Sequence, residues 1–345
     1  MVHSYIDTEF VKFFLRMLLD AKTHSKESEV VDRIRKHFIG TDLVFQSDFM
    51  TMLNDFNEYE KDLLKRIFFN ELTTGRGDNK VEINHTRAFN LLRKKSIYSA
   101  LKQPFANYWI NGKSKYNIEE YQNSNPYFFF NSVNFINNCD FIDSYKAWWV
   151  GRVADINDND VLGSWNDLEV YKHNYFDIII SDKYCLSDKD RIKKNIPYIV
   201  KSLSSETKNI KNILVFIKSR IRRDSFENEN TLKEYYDILM EEFTILGMEN
   251  VKLKIFASRD TTHDRFIVTN SFYLYSGQSL NYFPQNKVRN NGETEIRIES
   301  ISKEPKIIKQ RLRTILKIYS SNSTVAAGTL SDDNILNLYS NIFKE

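Results

Sequence analysis

Thr262-His263-Asp264-Arg265-Phe266-Ile267-Val268-Thr269-Asn270, followed by Ser276-Gly277-Gln278-Ser279-Leu280-Asn281, reads as a buried strand, a turn and a second strand that ends in small polar residues. Side chains of a strand alternate between its faces, so His263 and Arg265 share one face and Asp264 takes the other. An imidazole and a guanidinium aimed the same way supply a nucleophile or acid/base together with a fixed cation. A glycine-serine-asparagine turn adds small donors for oxyanions. Phosphate is the ligand this combination suits.

Three apolar runs precede the strand: Phe176 to Ile180, Ile213 to Ile217 and Val251 to Phe256. Each is bounded by polar or turn residues and separated from the next by a helix-like segment, which predicts strand-helix-strand units and a parallel or mixed sheet. His24-Ser25-Lys26 and His85-Thr86-Arg87 repeat the spacing of His263 and Arg265. The first lies in a polar turn and the second leads into a helical pattern, so neither has the strand context.

The run resembles one half-motif of the phospholipase D superfamily, whose signature is His-x-Lys, four residues, Asp, and then a Gly-x-Ser or Gly-Ser-x-Asn turn. His263 falls on the histidine, Arg265 on the lysine, Asn270 on the aspartate, and Gly277, Ser279 and Asn281 on the turn. Ser181-Asp182-Lys183-Tyr184 is similar to the corner that opens such a half-domain, so the resemblance covers roughly residues 165–320. It implies catalytic positions at His263, Arg265 and Asn270, and phosphate binding by Arg265, Gly277, Ser279 and Asn281. Arginine in place of lysine keeps the cation but replaces a compact ammonium with a planar fork, and asparagine removes a carboxylate.

The resemblance implies two functional classes. One is a phosphodiesterase or nuclease, a bacterial defence or mobile-element effector, in which His263 forms a phosphohistidine without cofactor or metal. Chemistry of this type needs a second histidine, and with one half-motif per chain that histidine comes from a homodimer. The other class is a catalytically inactive module that binds nucleic acid, nucleotide or lipid phosphate while its helical domain engages a protein partner.

Composition sets the outer limits. A chain of 345 residues with 41% hydrophobic and 28% charged residues suits two globular domains with ordinary cores. Cys139 and Cys185 are its two cysteines, which suggests no disulfide framework and fits a cytoplasmic location. Phe10 to Leu19 is interrupted or flanked by charge, so it reads as an amphipathic helix and not as a targeting or membrane segment. No phosphate-binding loop, dinucleotide fingerprint or zinc spacing occurs.

A net charge of +3 leaves little global footprint, so local clusters matter more. Lys218, Arg220, Arg222 and Arg223 follow the Ile213 strand and form either a solvated face or a basic rim around a phosphate site. Lys306, Lys309, Arg311 and Arg313 line a later helix. Asp177 and Asp182 with Lys183 provide a weaker, metal-dependent alternative.

Residues 1–125 carry apolar positions at helical spacing around Phe10, Val30 and Leu63, with a further helix expected from His85 to Leu101. The expected architecture is therefore an α-helical domain over 1–125, then a phospholipase D-like mixed-sheet α/β domain over 126–345 with C-terminal helices. Gly75-Arg76-Gly77-Asp78 reads as a helix stop, and Tyr127-Phe128-Phe129-Phe130 as a buried strand. Trp148-Trp149 reads as an anchor between the domains or a platform for bases. Asp155, Asn157 and Asn159 resemble half of a calcium loop, but Asp160 stands where its glycine belongs.

Overall fold

The computed structural model describes residues 3–23, 29, 33–34, 37–38, 41–46, 51, 53–66, 81–82, 92, 106–111, 116–150, 160–187, 189–205, 207–218, 229–259, 264–283, 294–301, 303, 305–319 and 324–331. The chain has mixed α/β content and divides into two compact units, Met1–Ser144 with Ser300–Ile307 and Asn341–Glu345, and Tyr145–Glu299 with Ile308–Ser340. No described helix is long and apolar enough to cross a membrane.

The first unit departs from the expected helical domain. It holds a five-stranded sheet in the order β3-β2-β1-β4-β5, formed by β1 (His3–Ile6), β2 (Asp42–Phe45), β3 (Val81–Glu82), β4 (Ala106–Trp109) and β5 (Phe128–Phe130). All four pairings are parallel. Aromatic side chains tie neighbouring strands on both faces. Tyr5, Tyr108 and Phe129 are in register and stack at 4.9 and 5.2 Å, while Trp109 stacks on Phe130 at 3.9 Å from the opposite face. Such cross-strand pairs are the unit of sheet stabilisation.

The helices expected around Phe10 and Leu63 are present, whereas Leu92, the one described residue of the helix expected from His85 to Leu101, lies in a turn. In α1 (Thr8–Thr23) the buried Phe10, Val11, Phe14, Leu15 and Leu18 form one stripe, and Asp7 caps its start by accepting from Phe10 N at 2.6 Å. In α2 (Glu58–Lys65) a capping box between Asn57 and Glu60 precedes the buried Leu63 and Leu64. The buried strand expected at Tyr127–Phe130 is β5, but it pairs with β4, so the first unit runs on past residue 125 through α3 (Ile118–Ser124) and α4 (Phe135–Asp143). The Gly75–Asp78 stop, the helix from His85 and the Asp155–Asn159 loop lie outside the described residues, Leu92 excepted.

The second unit carries an eight-stranded mixed sheet in the order β13-β9-β8-β7-β10-β11-β12-β6. Its centre is β7 (Asp177–Ser181), β8 (Lys211–Lys218) and β9 (Val251–Ser258), mutually parallel and built from the three apolar runs. Helices α5 (Lys189–Lys194), α6 (Ile196–Leu203) and α7 (Glu229–Ile245) connect them, as the alternation of patterns predicts. Next to β7 runs the hairpin β10 (Arg265–Val268) and β11 (Phe272–Ser276), with β10 antiparallel to β7. The outer strands are β6 (Ala147–Val150), β12 (Thr294–Ser300) and β13 (Thr324–Gly328), and α8 (Pro305–Tyr319) lies between β12 and β13 in sequence. Trp148 and Trp149 sit on β6, where Trp148 Nε1 donates to the Tyr171 hydroxyl at 3.0 Å within the same unit.

Candidate functional site

Because β10 is antiparallel to β7, its first residue lies at the carboxyl end of the parallel strands. Phe266 pairs with Ser181, Ser181 with Phe216, and Arg265 with Ser276. Arg265, the Asp182 corner, the end of β8 at Lys218 and the loop after Ser276 therefore share one sheet edge. That is the edge at which ligands of open α/β sheets bind. Alternation holds across this strand: Asp264 pairs with Arg311 of α8 at 2.7 Å, and the Arg311 guanidinium lies 5.4 Å from the Phe266 ring. Arg265 points the other way and donates from Nη1 to the Gly277 carbonyl at 3.1 Å. Its buried Nε has no hydrogen-bond partner among the described residues. His263 lies outside the described residues.

Asp182 organises the edge. The carboxylate accepts from Tyr184 N at 2.9 Å, from the Ser279 hydroxyl at 2.9 and 2.8 Å, and from Leu280 N. Burial pushes its pKa up, opposed by the Tyr184 and Leu280 amides, the Ser279 hydroxyl and the Arg265 guanidinium. The loop after β11 is thereby sewn onto the β7 corner. Asn281 adds a weaker tie from Nδ2 to the Tyr184 carbonyl at 3.5 Å. Further along, Tyr282 donates to the Gln278 carbonyl at 3.2 Å, and Phe283 N donates to Asn195 Oδ1 at 3.4 Å. A Cβ on Gly277 would stand 2.7 Å from Thr294 Oγ1, so this turn tolerates no side chain without displacing Thr294.

These contacts divide the expected site residues. Arg265, Gly277, Ser279 and Asn281 come together, but Ser279 and Asn281 direct their donors into the loop. Lys218 is brought to the same edge, its amide donating to the Lys183 carbonyl at 3.4 Å. Arg220, Arg222 and Arg223 lie outside the described residues. Asn270 is elsewhere: it lies in the turn beyond the far end of β10 from Arg265, at the amino end of β7. There it accepts from Phe176 N and Asp177 N, both at 2.9 Å, and donates to Asp177 Oδ2 at 3.1 Å.

The Asn270 cluster accounts for asparagine at this position. Asp177 is buried, also accepts from Asn212 Nδ2 at 2.8 Å, and has its pKa pushed up by burial to about 6 from an ordinary 3.8. A neighbour that must donate to this carboxylate while accepting two amides is served by asparagine and not by an ionised aspartate. Asp177 and Asp182 stand at opposite ends of β7, roughly 16 Å apart, too far to share one metal ion. Among the described residues no group of three or more His, Cys, Asp or Glu side chains is placed to hold one.

A pH dependence follows from this cluster. The folded pKa of Asp177 lies above its unfolded value, so the folded state holds the proton more tightly. Its contribution to stability is full below 3.8 and is lost as pH rises to about 6. Asn270→Asp sets a second carboxylate against Asp177 and is expected to cost about 2–3 kcal/mol at neutral pH. That loss should shrink below pH ~6 as the pair takes up a proton. Urea denaturation across this range checks it, and a loss independent of pH would contradict the assignment.

No protein-family model matches the sequence, and no curated protein matches it. Among solved structures, the chain is similar to phosphatidylserine synthase from Haemophilus influenzae Rd KW20, with 11% identity and a TM-score of 0.33. The match covers 52% of this chain and 39% of that enzyme, so the chain spans about two fifths of the enzyme's length.

Proposed function

We propose that the second unit is a phospholipase D-like phosphodiesterase module that engages a phosphodiester at the carboxyl edge of its sheet. The observation that carries this reading is Arg265, placed at that edge with one N–H on the Gly277 carbonyl and Nε without a partner. A planar guanidinium, partly exposed beside a loop tied down by Asp182, suits the non-bridging oxygens of a phosphate. His263, two residues before Arg265 in sequence, supplies the nucleophile. An imidazole nitrogen bonds to phosphorus as the bond to the leaving oxygen breaks, and that oxygen takes a proton from a second histidine. Water then hydrolyses the phosphohistidine. One half-motif per chain makes the second histidine that of another copy, in a homodimer.

A second reading, a phosphate-binding module without turnover, is favoured by one feature of the loop. Ser279 and Asn281 give their donors to Asp182 and Tyr184, which leaves them poorly placed to stabilise a transition state. Substitutions at Arg265 separate the readings. Arg265→Ala should weaken phosphodiester binding by about 1.5–3 kcal/mol, the worth of a charge-assisted contact. Arg265→Lys should preserve or raise cleavage of an activated phosphodiester, in the presence of EDTA, if the site is catalytic. Lost affinity with no turnover in either protein supports the binding module, and wild-type behaviour of both variants contradicts both readings.

A further inference from the structure

The reacting edge carries an aromatic residue that the phosphate chemistry does not use. Tyr184 is 40% exposed although it follows the buried Asp182 and precedes the buried Cys185 and Leu186. Its main chain is fixed from two sides, the amide donating to Asp182 Oδ1 at 2.9 Å and the carbonyl accepting from Asn281 at 3.5 Å. The ring is thus presented from a rigid corner. Lys183 holds its ammonium 5.2 Å from the ring centroid, and the amide of Lys218 bonds the Lys183 carbonyl at 3.4 Å. Arg265 is close enough to act electrostatically on the same Asp182 carboxylate.

We infer that Tyr184 is a base-stacking residue and that the ligand of this edge is single-stranded nucleic acid. This inference rests on the phosphodiester reading above and narrows its substrate class. The Arg265 guanidinium suits a phosphate, and an exposed ring with the Lys183 ammonium beside it suits an unstacked base next to a phosphate. A base inside a duplex offers no free face to such a ring. A lipid surface would need several apolar side chains around the headgroup site. Among the described residues of this unit the other exposed large hydrophobic side chains lie elsewhere: Val170 comes before the amino end of β7, Ile210 and Ile245 come before those of β8 and β9, and Tyr275 faces Arg311.

Binding of the full chain to a short labelled thymidine oligomer, followed by fluorescence anisotropy, tests this. The comparison probes are an abasic phosphodiester oligomer of equal length and charge, and vesicles containing phosphatidylglycerol. Tyr184→Ala should weaken thymidine binding by about five- to hundredfold and leave abasic binding within about twofold, whereas Tyr184→Phe should keep the wild-type affinity. Arg265→Ala should weaken both oligomers alike. Tyr184→Ala without effect, or with equal effect on the two oligomers, would overturn the stacking role while an Arg265 effect left the phosphodiester reading standing. Vesicles bound more tightly than oligomers would overturn the nucleic-acid assignment. A wild-type chain that binds no oligomer in the anisotropy assay, and neither binds nor cleaves the activated phosphodiester, would overturn both.

Discussion

Asp182→Ala is expected to destabilise the second unit by about 3–4 kcal/mol, because the lost carboxylate leaves the Tyr184 amide, the Leu280 amide and the Ser279 hydroxyl without their acceptor. Part of the cost is recovered. Burial already raises the Asp182 pKa, so truncation also relieves the desolvation of a charge, and this keeps the total below the sum of the individual bonds. Asp182→Asn should fall between alanine and wild type, since one amide oxygen still accepts while its NH2 group opposes a donor. Chemical denaturation gives the stability, and hydrogen exchange at the Leu280 and Tyr184 amides should report the loop coming away from the β7 corner. An alanine variant within about 1 kcal/mol of wild type, with both amides still protected, would mean that the corner is held by other contacts.

The second large effect is expected at His263. Removing the nucleophile in His263→Ala should lower turnover by about four orders of magnitude or more, since no other step of the proposed route replaces the missing covalent bond. Affinity for the phosphodiester should remain within a few-fold, because Arg265 and the lysines at the edge are untouched. Single-turnover cleavage together with anisotropy separates the two quantities. Equal losses in both would assign His263 to binding, and unchanged turnover would remove it from the chemistry.

What was legible in the sequence was the centre of the second sheet. The runs at Phe176–Ile180, Ile213–Ile217 and Val251–Phe256 are bounded by polar or turn residues and spaced by helices, and they became β7, β8 and β9. The turn at Thr269-Asn270-Ser271 and the small residues after Ser276 likewise marked the β10–β11 hairpin, with Thr269 N donating to the Phe272 carbonyl at 3.0 Å. The first unit was hidden by length. His3–Ile6, Asp42–Phe45 and Ala106–Trp109 are four residues each, too short to establish a period beside the strong helical stripe of α1.

The site was legible in its residue types but not in their partners. Asn270 matches a motif position, yet its role depends on Asp177, 93 residues earlier in the chain. Ser279 reads as a phosphate donor until Asp182, 97 residues away, is seen to accept its hydrogen bond. Asp182 itself carried one usable signal, a charged residue directly after a buried apolar strand, where an acceptor is needed to finish the turn. Arg311 carried none, since its pairing with Asp264 and its contacts with Phe266, Tyr273 and Tyr275 arise only when α8 meets the hairpin.

The most direct test is to trap the covalent intermediate during cleavage of a labelled phosphodiester, quench under alkaline conditions that preserve phosphohistidine, and locate the adduct by peptide mass spectrometry. The account predicts a phosphoryl adduct on His263 that forms in EDTA and is absent from His263→Ala. Cleavage that proceeds with no adduct on His263, or an adduct that persists in His263→Ala, would contradict it.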